Sequence, residues 1–316
     1  MKNLLKVKDL KKYFPIKRGI FRRRAGDMKA VDGVSFSIHE GEVVGLVGES
    51  GSGKSTVGRA AIRLIEPTDG EIEFLGENLR EASQKQLRRL RSKVQMVFQD
   101  PLASLNPRKT VLENIGEPLL FHKRVASREE QIEEVKTILG KIGICPSTLD
   151  HYPHQFSGGQ QQRLSIGRAI GLYPKLVICD EAVSALDLSV QAQILNLLQD
   201  LKHKLKLSYL FISHDLSVVR YFCDRILVMY RGKIVEEGMT EALFADPKHP
   251  YTQLLLASIP KKHPRDKKPS LPQKLERETV SSGCPFFHRC PVSKPGCELN
   301  IPPLKGKEDH SYLCIH

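Results

Sequence analysis

At 316 residues, 40% of them hydrophobic, the chain is long enough to bury one large α/β core with a small appendage. It contains no run of about 18 uncharged apolar residues, and Met1–Tyr13 is rich in lysine without an apolar stretch, so neither a membrane span nor a cleaved leader is expected, and the protein reads as cytoplasmic. The formal charge of +13 is peripheral: residues 1–30 carry eleven Lys and Arg against two acids, and residues 261–275 carry six against one. Charge confined to two segments reads as a solvated surface rather than the basic stripe of a nucleic-acid binder. Lys17, Arg18, Arg22, Arg23 and Arg24, in a loop between the first strands, could also meet anionic lipid, at about 1 kcal/mol each.

Residues 3–75 alternate short strands with one helix. Glu42–Val47 is an apolar strand that runs into GESGSGKST, Gly48–Thr56, and Lys54–Ile65 reads as the following helix. Glycines free the backbone to turn its N–H groups toward phosphate oxygens, and the helix N-terminus adds its positive end. Gly48, Ser50, Gly51, Gly53 and Thr56 would form the cradle, with Lys54 on the β and γ phosphates and the Ser55 hydroxyl on Mg2+. An ordinary glycine-rich turn would not need the lysine and hydroxyl at these positions. A returning strand is expected at Gly70–Leu75.

Residues from about 100 to 172 read as a helical subdomain, with apolar positions at helical spacing in Val111–Phe121 and Arg128–Ile142. It ends on Ser157, Gly158, Gly159 and Gln160, a helix start in which the serine caps and the glycines admit an anion. Leu176–Cys179 is a second apolar strand, closed by Asp180 and Glu181. There the first carboxylate can hold Mg2+ and the second can polarise an attacking water, unless the pair merely caps the next helix. Strand Tyr209–Ile212 leads to His214, suited to sensing a γ-phosphate. A hairpin follows, Arg225–Tyr230 and Lys233–Glu237, turned by Arg231 and Gly232. No internal repeat is visible.

Taken in order, GESGSGKST, Gln99, FSGGQQQR (Phe156–Arg163), LVICDE (Leu176–Glu181) and His214 resemble the ATPases of ATP-binding cassette (ABC) transporters. The resemblance implies an α/β P-loop NTPase cassette with an antiparallel β subdomain and an α-helical subdomain. It also implies two nucleotide domains that clamp two ATP molecules head to tail. On that plan Ser157–Gln160 face the γ-phosphate held by the other subunit, and Gln99 touches magnesium and the attacking water. Ser184, Ala185, Leu186 and Asp187 match the loop that crosses between subunits, while Tyr13 or its neighbour Phe14 stacks on adenine. The family's usual proline after the catalytic glutamate is Ala182 here, which leaves the turn freer. The side chains for the chemistry, Lys54, Gln99, Glu181 and His214, are all present, so an active site is expected.

HPYTQLLLASIP (His249–Pro260), NPRKTVLENIGEPLL, YPHQFSGGQQQR and SALDLSVQAQILNLL, with an extended loop near Phe14–Met28, are similar to oligopeptide and dipeptide importer ATPases, closest to the F-type subunit. That likeness implies a second ATPase subunit, a D-type paralogue; two membrane permeases; an extracytoplasmic substrate-binding protein; and a peripheral place on the cytoplasmic face of the membrane. Similar ATPases serve nickel, glutathione or sugar importers, and the ATPase does not touch the cargo. A soluble ABC protein acting on nucleic acid or ribosomes would be expected to have tandem cassettes or a long coiled coil, and the sequence has neither. No nucleic acid is expected as a partner.

The expected domains are an ABC ATPase domain over 1–260, a basic Lys/Pro-rich linker over 261–283, and a Cys-rich metal-binding tail over 284–316. Cys284, Cys290, Cys297 and Cys314 stand at intervals of five, six and sixteen residues, unlike a zinc-ribbon CxxC pair. Proline follows Cys284 and Cys290, as it follows a ligand in some iron–sulfur loops. A [4Fe–4S] cluster is expected, as the resemblance also implies, with Zn2+ or free thiols as the alternatives; the cluster would fold a tail that otherwise lacks a core. Cys179, in a core strand, reads as packing.

Overall fold

A computed structural model of the chain describes residues 2–18, 23–259, 283–307 and 310–314. In chain order the first elements are β1 (Asn3–Arg18), β2 (Arg23–His39), β3 (Val43–Val47), α1 (Lys54–Ala61), β4 (Asp69–Phe74), β5 (Glu77–Asn78), α2 (Gln84–Arg91), β6 (Val94–Val97) and α3 (Pro101–Ser104). Then come α4 (Val111–Phe121), α5 (Arg128–Lys141), α6 (Gly158–Ile170), β7 (Leu176–Asp180), α7 (Leu188–Leu205) and β8 (Ser208–Ser213). The last are α8 (Leu216–Phe222), β9 (Arg225–Tyr230), β10 (Lys233–Met239), α9 (Thr240–Ala245), α10 (Pro250–Ala257), α11 (Gly296–Leu299), β11 (Leu304–Lys307) and β12 (His310–Leu313). These elements form two compact units, Met1–Lys6, Ser37–Val43 and Glu73–Ile212 making the first, and Val7–Phe36, Val44–Ile72 and Ser213–His316 the second.

In the first unit, β6, β7 and β8 pair in parallel, with Val97 opposite Cys179 and Cys179 opposite Phe211. Every position of β7 and β8 is buried, as parallel strands covered on both faces must be. Helix α7 buries Ile194, Leu195, Leu198 and Leu201, and the Tyr209 hydroxyl donates to the Leu198 carbonyl at 3.2 Å. The helical arm starts each helix on a side-chain cap: Thr110 with Glu113 for α4, Ser127 for α5, Ser157 with Gln160 for α6. Its buried Asn114 donates to the carbonyls of Asn106, Lys109 and Thr110 and accepts the Asn106 N–H. That one amide ties the incoming loop to α4 with all of its donors and its acceptor in use.

In the second unit, β3 runs parallel to β9, with Gly45 opposite Ile226. The hairpin β9–β10 turns on Arg231 (φ 42°) and Gly232 (φ 84°), the two left-handed residues that match the twist of the flanking strands. β10 accepts β12 antiparallel, Glu237 opposite Ser311, and β12 accepts β11. No helix among the described residues is long and apolar enough to cross a membrane.

Three expectations change. The P-loop helix stops at Ala61 rather than Ile65, because Arg63 turns left-handed (φ 52°) and the Leu64 N–H closes on the Arg59 carbonyl at 2.8 Å. The anticipated loop at Phe14–Met28 is mostly strand, since β1 reaches Arg18 and β2 begins at Arg23. Arg22 and the side chains of Lys17, Arg18, Arg23 and Arg24 lie outside the described residues, as does the linker over 261–282. Finally, the Cys-rich tail does have packed contacts: Phe286 is 1% exposed, with its ring 5.2 Å from Tyr230 and 5.4 Å from Tyr251. A buried phenylalanine of this kind is worth about 3–5 kcal/mol against alanine.

Candidate functional site

A phosphate-cradle geometry is found in the second unit. All of β3 is buried, and its last residue feeds Gly48, whose φ of +154° no side chain readily adopts. A Cβ there would lie 2.1 Å from the Met229 carbonyl, and one on Gly53 would lie 2.2 Å from the Ala30 carbonyl. The loop is therefore pressed against β2 and β9, and only glycine fits. Lys54 is 4% exposed, and its Nζ donates to the carbonyls of Gly48 and Glu49 at 2.8 and 2.9 Å. Helix α1 begins without a side-chain cap and without an acid in its first turn. The buried Ser52 hydroxyl has no protein partner. Such a cradle suits an anion held by backbone and lysine.

From the same loop a chain of contacts leads to Tyr13. The Gly232 N–H donates to the Ser52 carbonyl, and the Asp32 N–H to the Gly232 carbonyl, both at 2.9 Å. Lys233 pairs with the Asp32 carboxylate at 3.1 Å, which also accepts the Tyr13 hydroxyl. Burial, and then this hydrogen bond, push the Tyr13 phenol up to about 12. Burial works against the Asp32 charge, but the bonds from Tyr13 and Lys233 outweigh it and its pKa falls. Phe14 has no such link; Lys12 sits over its ring. His214 is exposed just past β8, next to Asp215, which caps α8 through the N–H groups of Ser217 and Val218.

A carboxylate group is found in the first unit. β6 and β7 are neighbours in register, so the residues just beyond them come together: Gln99 Nε2 donates to Glu181 Oε2 at 3.1 Å. Asp180, 2% exposed, ends β7. Glu181 is left-handed (φ 50°), a conformation that costs about 1 kcal/mol or more for a residue with a Cβ. Its N–H donates to the Ile212 carbonyl, and its own carbonyl accepts from Ser184 N–H and Oγ. The acid pair does not cap α7, whose N-cap is Asp187.

Ser157 accepts from the Gln160 N–H while Gln160 Oε1 accepts from the Ser157 N–H. This exposed helix start carries no acid. A Cβ on Gly159 would meet Val190 at 2.5 Å, whereas one on Gly158 would meet only Leu186, at 4.0 Å.

In the tail, Cys284, Cys297 and Cys314 are buried, Cys290 partly so, and none is in a disulfide. Burial pushes the Cys284 thiol up to about 11, opposed by the Phe286 N–H and aided by the charges of Cys290, Cys297 and Cys314. The Phe286 N–H points at the Cys284 sulfur and the Val292 N–H at that of Cys290. Among the described residues, no group of three or more His, Cys, Asp or Glu is arranged to hold a metal ion.

Two contacts at the P-loop are not visible from the sequence. The Glu49 N–H donates to the Tyr251 hydroxyl at 2.9 Å, and the Glu49 carboxylate takes both arms of Arg289, each at 2.9 Å. Tyr251 belongs to the HPYTQ segment, so a signal existed without a mechanism. Nothing near Arg289 in the sequence points to Glu49.

Known proteins resemble this chain over nearly its whole length. A family model described as ABC transporter matches residues 31–184, and one described as oligopeptide/dipeptide transporter, C-terminal region, matches residues 235–297. The chain is 49% identical over 319 residues to the oligopeptide transport ATP-binding protein AppF of Bacillus subtilis, covering 99% of this chain and 97% of that one. It is 48% identical to OppF of Escherichia coli, an oligopeptide transport ATP-binding protein, over 99% of this chain and 96% of that one. Against the di/tripeptide transport ATP-binding protein DppF of Pseudomonas aeruginosa the identity is 42%, over 100% and 98%. Among solved structures, the dimeric post-hydrolysis form of the ATP-binding cassette MJ0796 with ADP and Pi superposes with a TM-score of 0.66 at 32% identity, covering 75% of this chain and 98% of that one. CbiO1 of Clostridium perfringens, part of the ABC transporter complex CbiONQ, gives 0.67 at 26%, over 78% and 92%.

Gly48→Ala should abolish nucleotide binding and cost at least about 2 kcal/mol, since backbone strain and a clash with backbone act together. Gly41→Ala, at φ +78° with nothing within 4 Å, should cost about 1 kcal/mol from strain alone. Chemical denaturation and nucleotide titration on both variants check this; equal losses would contradict the clash.

Proposed function

The chain belongs to the family of ATP-binding subunits of oligopeptide and dipeptide ABC transporters, and from that membership we propose how its residues divide the work. It is the ATP-hydrolysing subunit of a peptide importer. The observation that carries this is the 49% identity to AppF over nearly the whole of both chains, together with the match to the transporter C-terminal region at residues 235–297.

ATP binds with its phosphates in the cradle of Gly48–Thr56. Lys54 leaves the two loop carbonyls for the β and γ phosphates, and the backbone N–H groups of the loop and of α1 hold the rest. Tyr13 rather than Phe14 stacks on adenine, because its hydroxyl is joined through Asp32 and Gly232 to the loop itself. Ser55, Asp180 and Gln99 are the oxygen donors suited to Mg2+, which when bound offsets the phosphate charge. Glu181, already bonded to Gln99, orients and deprotonates the attacking water. His214 reads the γ-phosphate. Ser157–Gln160 meet the phosphates held by a second cassette, as their exposed, acid-free helix start allows.

The partners on this reading are a D-type ATPase paralogue, two membrane permeases and an extracytoplasmic binding protein, with the chain peripheral on the cytoplasmic face of the membrane. The relatives named for oligopeptide and di/tripeptide transport support peptide as the cargo. The domain division at 260 and 283 follows the same plan.

For the tail we propose that Cys284, Cys290, Cys297 and Cys314 hold a [4Fe–4S] cluster, whose role is structural. What supports this reading is the donor set, four free cysteines in one short segment, three buried and one partly so; the described arrangement does not itself bring three of them together for a metal.

Glu181→Gln should retain ATP binding but lower turnover by about 10²-fold or more, because the amide accepts no proton. Lys54→Ala should weaken binding itself. Nucleotide affinity and phosphate release separate the two, and near-parental turnover in Glu181→Gln would remove that residue from its role.

Anaerobically purified protein should be brown, contain iron and acid-labile sulfide, and lose both when any of the four tail cysteines becomes serine. Colourless protein with one equivalent of zinc would instead favour a tetrahedral zinc site.

A further inference from the structure

Glu49, the second residue of the P-loop, is held at its N–H, its carbonyl, which also accepts the Ser52 N–H, and its carboxylate. Its N–H donates to the hydroxyl of Tyr251 on α10, and its carbonyl accepts from Lys54 Nζ. Its carboxylate takes a two-armed ion pair from Arg289, which lies between Cys284 and Cys290 in the tail. The Arg289 side chain is only 8% exposed. Its guanidinium rests over the rings of Tyr230 and Phe286 at 5.7 and 5.8 Å, and Tyr251 completes that aromatic cluster, 4.6 Å from Tyr230.

We propose that the Cys-rich tail is a brace for the P-loop and that Arg289 is a positioning residue that holds Glu49, and through it the phosphate cradle, in its binding shape. The inference rests on ATP binding at Gly48–Thr56. When phosphate draws Lys54 away from the carbonyls of Gly48 and Glu49, Glu49 loses its side-chain bond from within the loop. Its side-chain bonds from outside the loop, from Tyr251 and Arg289, remain. A guanidinium fork matches a carboxylate in two bonds and is fixed in orientation by the rings beneath it, so it sets position as well as charge. Holding a loop ready lowers the cost of ordering it on binding. The consequence belongs to nucleotide affinity rather than to the chemical step.

The test is a double-mutant cycle on the full-length chain with Arg289→Gln, Glu49→Gln and both, read by titration with a fluorescent ATP analogue and by steady-state ATPase kinetics. Each single variant should weaken nucleotide binding about tenfold, with KM for ATP rising in parallel and kcat falling less than about threefold. The double variant should be no weaker than either single one, because both remove the same contact. Arg289→Lys, which keeps the charge without the fork, should fall between. Parental affinity in both singles, or losses that multiply in the double, would overturn the brace, and thermal unfolding of each variant separates a loosened loop from a lost fold. Lys54→Ala tests the underlying site: if it still bound ATP, the cradle itself would be misplaced and the brace would fall with it.

Discussion

Two carbonyl oxygens leave no room for a side chain on the loop that follows β3. Met229 closes the space at Gly48 and Ala30 closes it at Gly53, so the backbone between them has one path. That path carries Lys54 to a buried position over the loop carbonyls and opens α1 with an uncapped N-terminus. The cost of left-handed backbone is absorbed by glycine at these points. What remains is a rigid cradle for an anion, set on the hairpin β9–β10 and on β2.

The carboxylate group of the first unit is organised differently, by strand register rather than by glycine. Val97 and Cys179 are partners, which leaves Gln99 and Glu181 two steps further along adjacent strands and within hydrogen-bond reach. Glu181 itself takes a left-handed conformation that its neighbours hold in place through Ile212 and Ser184. Local strain of this kind, fixed by backbone bonds, is common where a side chain must be aimed. Ala182 stands at the next position without the ring of proline, and the turn is formed through these bonds.

Much of this could be read from the residues, and for physical reasons. β7 and β8 are apolar at nearly every position because both faces are buried, and α4 and α6 announce their first turns by Thr110 with Glu113 and Ser157 with Gln160. Arg231 and Gly232 stand where a tight hairpin needs left-handed residues. The choice between Tyr13 and Phe14 was not legible, since alternation along a strand places them on opposite faces without saying which face meets the loop. The docking of the tail was not legible either. Arg289 and Glu49 are 240 residues apart, and no period or spacing links them. Glu236 is a similar case: the acid sits in a hairpin strand, yet it is fully buried, accepting the N–H groups of Lys248 and His249 and pairing with His310 on β12.

On the proposed reading, the phosphate cradle and the Ser157–Gln160 helix start close on one ATP only when two cassettes meet. Light scattering tests it through the mass of the Glu181→Gln chain, alone and with a second ATPase subunit, in ATP and in ADP. Because the variant should hold ATP without turning it over, a stable pair is predicted in ATP and separate chains in ADP. An unchanged mass in the two nucleotides, with ATP bound, would contradict the shared site.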